Sequence, residues 1–153
     1  MVKYLSIEHL TEPNATIIDI CKQSDNPIIR KFASYYQTLL FYKAKLVFIT
    51  YNENGETLGF LCYAICKNHL TMYAIATRNN CRGKGVGTKL FNQMIQDAKQ
   101  LGKSKIKWKA TSQSVGFYEK LGIKYKQKLN DDYVYELNVI PPKTLIQIFG
   151  ETK

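Results

Sequence analysis

Long apolar runs are missing from this 153-residue chain. None approaches the ~20 residues needed to cross a bilayer, so no membrane segment is expected. Near the start, Glu8 stands where a secretory leader needs its apolar stretch. Histidine is scarce: His9 and His69 lie far apart. The four cysteines, Cys21, Cys62, Cys66 and Cys81, include no CxxC pair. That spacing gives no reason to expect a metal site, and the cysteines read as free thiols of a reducing cytoplasm. Internal repeats and low-complexity linkers are also absent. Acidic residues are scarce in one place. Residues 78–128 hold 2 acids against 13 bases, whereas residues 1–77 hold 6 against 7. The net charge of +10 therefore belongs to one continuous stretch. Such an excess favours anionic partners and repels cationic ones. Nucleic acid, a phosphorylated cofactor, an acidic protein or anionic lipid would each satisfy it.

What is present is ordinary globular composition, 45% apolar and 22% charged, at a length suited to one domain of ~100–200 residues. Val2–Ile7 reads as a first strand. A helical stripe of Ile17, Ile18, Ile20 and Cys21 follows Asn14. Asn26-Pro27 looks like an N-cap followed by proline at the first helical position. Behind it, Ile28, Phe32, Tyr35, Tyr36, Leu39 and Leu40 recur at spacings of three and four. Lys45–Tyr51, Thr57–Cys66 and Leu70–Thr77 read as three strands of an antiparallel meander, the first two joined by an Asn54-Gly55 turn. Val86, Leu90, Met94, Ile95, Ala98 and Leu101 mark a long helix closed by Gly102. Lys103–Ala110 alternates Ile106, Trp108 and Ala110 with Lys105, Lys107 and Lys109, as a strand with two unlike faces does. A short helix over Thr111–Leu121 and a hairpin of Ile123–Leu129 with Tyr133–Val139 complete the pattern. The expected architecture is a single α/β (α+β) domain over residues 1–140, with helices flanking a mixed, mostly antiparallel sheet. Residues 141–153 form an apolar tail, expected to pack on the domain or on a second copy as a homodimer.

The most informative stretch joins the third meander strand to the long helix. Gly83, Gly85 and Gly87 alternate there, flanked by Arg82, Lys84 and Lys89. Glycines let the backbone approach a bulky anion, and a helix start offers unpaired N–H groups and positive potential. Together they make a phosphate cradle. The spacing fails the P-loop pattern, because the sixth residue from Gly83 is Thr88. It fails the dinucleotide pattern too, because the third glycine comes early and no acid follows on the next strand.

At these residues the chain resembles the GNAT superfamily of acyl-CoA-dependent N-acyltransferases. The family signature, Arg/Gln-x-x-Gly-x-Gly/Ala, is met by Arg82, Gly85 and Gly87. Ser114–Ile123, containing Phe117-Tyr118-Glu119-Lys120-Leu121-Gly122, is similar to the family's later helix. The resemblance implies that Arg82, Gly83, Lys84, Gly85, Val86, Gly87 and Thr88 hold the pyrophosphate of acetyl-CoA. It implies that Ile75, Ala76 and Thr77 pair with the pantetheine arm. It also implies that Tyr118 is the general acid protonating the departing CoA thiolate. Thr111 stands near the place where relatives often carry a cofactor-contacting Asn. The third meander strand has no carboxylate to act as base; His69 is its one imidazole.

The reaction implied is direct acetyl transfer to a primary amine of a small molecule, peptide or protein. Glu53 with Glu56, and Asp131 with Asp132, are acid pairs that could attract such an amine. Lys105, Lys107 and Lys109, with Lys124, Lys126 and Lys128, point instead to an acceptor on RNA. A non-catalytic module binding CoA or nucleic acid is the remaining alternative. Cys81, beside the cradle, has a setting that can lower a thiol pKa.

Overall fold

Residues 1–5, 14–42 and 45–139 are described by a computed structural model; the expected tail and the last two residues of the expected first strand lie outside them. Among the described residues seven strands form one sheet in the order β1-β2-β3-β4-β5-β7-β6. They are β1 (Val2–Leu5), β2 (Leu46–Glu53), β3 (Glu56–Ile65), β4 (His69–Thr77), β5 (Lys105–Ala110), β6 (Gln127–Leu129) and β7 (Asp132–Asn138). Every pairing is antiparallel except β4 with β5. Four α-helices accompany them among the described residues: α1 (Ala15–Gln23), α2 (Pro27–Tyr42), α3 (Val86–Gln100) and α4 (Ser112–Lys120).

Local chemistry accounts for most boundaries. Asn14 Oδ1 accepts hydrogen bonds from the Thr16 and Ile17 N–H groups at 3.0 and 3.1 Å, capping α1. Asn26 Oδ1 does the same for Ile28 N at 3.0 Å, and Pro27 supplies the fixed φ of the first helical turn. Asn54 and Gly55 both adopt positive φ, 51° and 77°, in the turn type that matches the twist of a tight hairpin.

Two helical stripes differ from expectation, α2 by a shift of its buried face and α3 by added residues beside the expected Val86, Leu90, Met94 and Ala98. In α2 the core takes Ile29, Phe32 and Tyr36, while Ile28 and Tyr35 are 43% and 37% exposed. Residues 29, 32 and 36 share one line of a 3.6-residue helix, and 28 and 35 lie about 100° round from it. In α3 the buried face includes Phe91 and, unexpectedly, Asp97. The last hairpin strand is also shorter than expected. The Ile123 N–H is spent on Tyr118 O, closing α4, so ladder pairing cannot begin there.

The sheet separates two cores. Ile17, Cys21, Phe32 and Tyr36 of α1 and α2 pack with Phe48, Phe60, Cys62, Ala74 and Ala76 on one face. Leu90, Phe91 and Met94 of α3 and Tyr118 of α4 pack with Ile49, Leu61, Ile106, Trp108 and Tyr135 on the other. Burial of the thiols pushes Cys21 up to about 12 and raises Cys62 well above its ordinary value.

Gly59 lets α3 approach the sheet. A Cβ there would stand 2.7 Å from Ala76 O, 3.1 Å from Val86 Cγ1 and 3.3 Å from Leu90 Cδ1. The first contact is with backbone, which cannot swing aside. Gly59→Ala is expected to cost about 2 kcal/mol, the ordinary penalty of overpacking. Urea denaturation checks it; a midpoint unchanged from the parent would show that the sheet yields freely at this point.

Candidate functional site

β4 and β5 pair only at their beginnings, His69 to Thr71 against Lys105 to Lys107. Beyond that the strands part. The cause lies in β4, where the register against β3 steps from Met72↔Tyr63 to Ala74↔Cys62, leaving Tyr73 as an extra residue. Such a bulge bends the strand and re-aims its side chains. Leu70 and Met72 belong to the α3-side core, whereas Ala74 and Ala76 belong to the α1/α2-side core. The facing edges of β4 after Thr71 and of β5 after Lys107 are left without a ladder partner.

The gap opens into a cleft of about 830 Å³, a size typical of ligand sites. Ile75, Ala76 and Thr77 of β4 line one wall, and Phe117 and Tyr118 of α4 the other. Arg82, Gly83, Gly85, Val86, Gly87 and Thr88 line one end, and Ser24, Asp25, Asn26 and Ile29 of the α1–α2 connection another. Since Ala76 and Ile29 belong to one core while Val86 and Tyr118 belong to the other, the cleft reaches both faces of the sheet.

The loop before α3 is built to present N–H groups. Gly83 and Gly85 take φ of 80° and 78°, and Gly85 is the N-cap, with no side chain capping the helix. The first intrahelical bond runs from Lys89 N to Gly85 O, 3.0 Å. The N–H groups of Val86, Gly87 and Thr88 therefore precede the ladder, in the positive field of the helix end. A Cβ on Gly87 would meet Phe117 Cε1 at 3.1 Å, so this glycine also sets the width of the cleft.

The basic residues of the loop are placed differently from the sequence expectation. Arg82 forms a two-pronged ion pair with Asp25, its Nη1 donating to Oδ2 at 2.9 Å and its Nη2 to Oδ1. Arg82 holds the Asp25 carboxyl below its ordinary value. Asn79 Nδ2 donates to Gln23 O at 2.9 Å, a second tie between this loop and the end of α1. Lys84 does not line the cleft, and its N–H is committed to Cys81 O at 3.3 Å. Lys89 donates to Tyr51 Oη at 2.9 Å, away from the loop. Cys81 lines the cleft but is buried, its thiol donating to Asn80 Oδ1 at 3.3 Å.

Tyr118 is 2% exposed, and it lines the cleft. Its ring lies against Phe117, Trp108, Tyr135 and Phe91, at centroid distances of 5.1, 5.2, 4.7 and 6.0 Å. Burial raises its pKa above the ordinary phenol value; Tyr135 adds to the rise, and the Trp108 indole N–H opposes it. Trp108 Nε1, Thr111 Oγ1 and Tyr135 Oη are buried without a hydrogen-bond partner among the described residues. Thr111 precedes α4 without capping it and does not line the cleft.

The remaining candidates stand apart. His69 lies where β4 and β5 still pair, and burial, followed by Lys107, lowers its pKa. Neither Glu53 with Glu56 nor Asp131 with Asp132 lines the cleft. Asp25 is its one carboxylate among the described residues. The α1–α2 connection carries no site signal in the sequence: Asn26-Pro27 signals only a cap, and Asp25 and Arg82 are 57 positions apart.

The fold recurs among solved structures. The PaiA N-acetyltransferase of Thermoplasma acidophilum, in complex with coenzyme A, is 16% identical with a TM-score of 0.70, over 90% of this chain and 99% of that one. The ribosomal-protein-S18-alanine N-acetyltransferase of Escherichia coli is 14% identical with a TM-score of 0.69, over 95% and 97%. An aminoglycoside 6'-N-acetyltransferase complexed with coenzyme A is 14% identical with a TM-score of 0.72, over 94% and 99%. No curated protein matches the chain. The model of the acetyltransferase (GNAT) family matches residues 8–123, and the chain belongs to that family.

Proposed function

We propose that the protein transfers an acetyl group from acetyl-CoA to a primary amine by direct attack. One observation carries this reading: a single cleft through the sheet joins uncapped helix N–H groups, a strand edge without a ladder partner, and Tyr118. The N–H groups of Gly83 and of Gly85 to Thr88 suit a pyrophosphate. The free edge of β4 at Ile75 to Thr77 suits the amide-bearing pantetheine arm, which would complete the interrupted ladder. Arg82, held by Asp25, would bring its guanidinium to the pyrophosphate end with its charge largely met by that carboxylate. Acetyl-CoA supplies the activated thioester.

The amine enters from the α1/α2 face in its neutral form. The β4 backbone N–H groups polarise the acetyl carbonyl. A new C–N bond forms as the C–S bond breaks, and the amine's proton leaves to solvent. Tyr118 Oη gives its proton to the departing sulfur and regains one from water. No carboxylate is required as base. A purely binding role would leave Tyr118 without work in the cleft.

Isothermal calorimetry with acetyl-CoA and CoA is the direct test. Binding at micromolar protein is expected, and Gly85→Val is expected to weaken it at least ~10-fold, because a β-branched residue is disfavoured at φ of 78° in the cradle. No heat from either nucleotide with the parent protein would end the reading.

A further inference from the structure

On the face where the amine enters, the sheet carries lysines. Ile106 and Trp108 are buried in the α3-side core, so the alternating Lys105, Lys107 and Lys109 point to the α1/α2 side. Among the described residues α1 and α2 pack on β3 and β4, while α3 and α4 approach β5 and β7 from the opposite face. Among the described residues no helix covers the lysine side of β5, and Lys107 and Lys109 are exposed. Lys107 stands opposite Thr71, the last paired residue before the strands part, and Lys109 flanks the gap itself.

These lysines are not equivalent. Glu136 takes Lys105 at 2.8 Å and Lys126 at 2.8 Å, and its carboxyl is pulled down to about 2 by those two partners. Lys107 and Lys109 have no ion pair among the described residues. The one acid of the cleft, Asp25, is occupied by Arg82. Among the described residues the unpaired charges on β5 beside the gap are thus Lys107 and Lys109; Glu136, opposite Lys107 in the register, is taken by Lys105 and Lys126. That disfavours a polycationic acceptor, and two cations form too short a track for a polyanion such as RNA.

We infer that the acceptor is a small amine bearing its own anion, a carboxylate or a phosphate, which Lys107 and Lys109 hold at the mouth of the β4–β5 gap. The inference rests on the acyl-CoA reading and names the substrate class of the same site. The anion orients the amine toward the gap and selects against neutral and cationic analogues.

The test is an acceptor panel on the full chain, following CoA thiol release. It compares amino acids and aminoalkyl phosphates with their amides and neutral esters, with spermidine, with an aminoglycoside and with an aminoacyl RNA minihelix. Anionic amines are expected to exceed their neutral partners in kcat/KM by ~10-fold, two part-exposed ion pairs' worth. The carboxylate and phosphate arms show which anion is used. In Lys107→Glu/Lys109→Glu that preference is expected to vanish or invert, and raised salt is expected to erode it in the parent. Equal use of neutral amines, preference for a polycation, preference for the minihelix, or a preference untouched in the double variant would each overturn the inference. Calorimetry with acetyl-CoA on the same proteins reports on the acyl-CoA reading separately.

Discussion

Tyr118→Phe is expected to lower kcat by at least ~100-fold, the lower end of what a positioned general acid contributes. Its KM for acetyl-CoA should stay within about twofold, because binding falls to backbone groups some distance along the cleft. The substitution keeps the ring, which is held by Phe117, Trp108, Tyr135 and Phe91. It deletes one oxygen and leaves the aromatic packing, so folding should be nearly unaffected. A fall in kcat with retained thermal stability and retained acetyl-CoA binding is therefore the signature of lost proton transfer. An undiminished kcat would return Tyr118 to the core as a packing residue.

The pH dependence separates proton donation from other roles. Burial raises the Tyr118 pKa, so its hydroxyl stays protonated through and beyond the neutral range. The rate should fall only on the acid side, where the acceptor amine is protonated, and should hold level up to about pH 10, the ordinary value of a phenol. Tyr118→Phe should keep the acid limb and lower the plateau. A basic limb near pH 8 that disappears in the variant would contradict the burial of this phenol. The raised pKa also makes Tyr118 a reluctant donor. Trp108 opposes part of the rise, and its indole N–H is buried without a hydrogen-bond partner among the described residues. Buried donors left unpaired are costly, and an active site is where such a cost recurs.

The sequence was most legible where a rule acts over a few residues. The helix cap at Asn26, the Asn54-Gly55 turn and the glycine-rich start of α3 are local events, and each stands where its chemistry put it. The two-faced character of β5 could be read from alternation alone. The bulge at Tyr73 could not. Leu70, Met72, Ala74 and Ala76 recur at every second position, Ile75 alone departs from the alternation, and the extra residue appears only against the register of β3. Yet that residue parts β4 from β5 and so opens the cleft. Charge partners were equally hidden. Arg82 and Lys89 read as free cations of the loop, but Asp25 and Tyr51, distant in sequence, take them. Likewise the lysines of β5 and of the stretch before β6 look uniform in sequence, and Glu136 divides them into neutralised and free. Periodicity reports which face a residue occupies, but not what meets it there.

Asp97 shows the same gap in the core, and its removal should be among the most damaging single changes to the fold. It sits 6% exposed in α3, where the helical stripe leads one to expect an apolar residue. Tyr63 Oη donates to its Oδ2 at 2.8 Å; Tyr4 Oη and Gln93 Nε2 donate to its Oδ1 at 2.6 and 3.0 Å. Three elements, β1, β3 and α3, thus meet on one carboxylate. Burial, followed by Asp97, pushes the Tyr4 pKa up to about 12 and raises that of Tyr63 further, so both hydroxyls remain donors. Asp97→Ala removes charge-assisted bonds and strands the buried Tyr63 hydroxyl, and is expected to cost about 3 kcal/mol. Tyr63→Phe leaves the carboxylate two of its donors and should cost about 1 kcal/mol. The double variant should be no less stable than Asp97→Ala, because no hydroxyl is then left stranded. Urea denaturation at constant m-value measures all three. Simple additivity of the two single losses would mean that the tyrosine and the carboxylate stabilise the core independently, with the hydrogen bond between them contributing nothing.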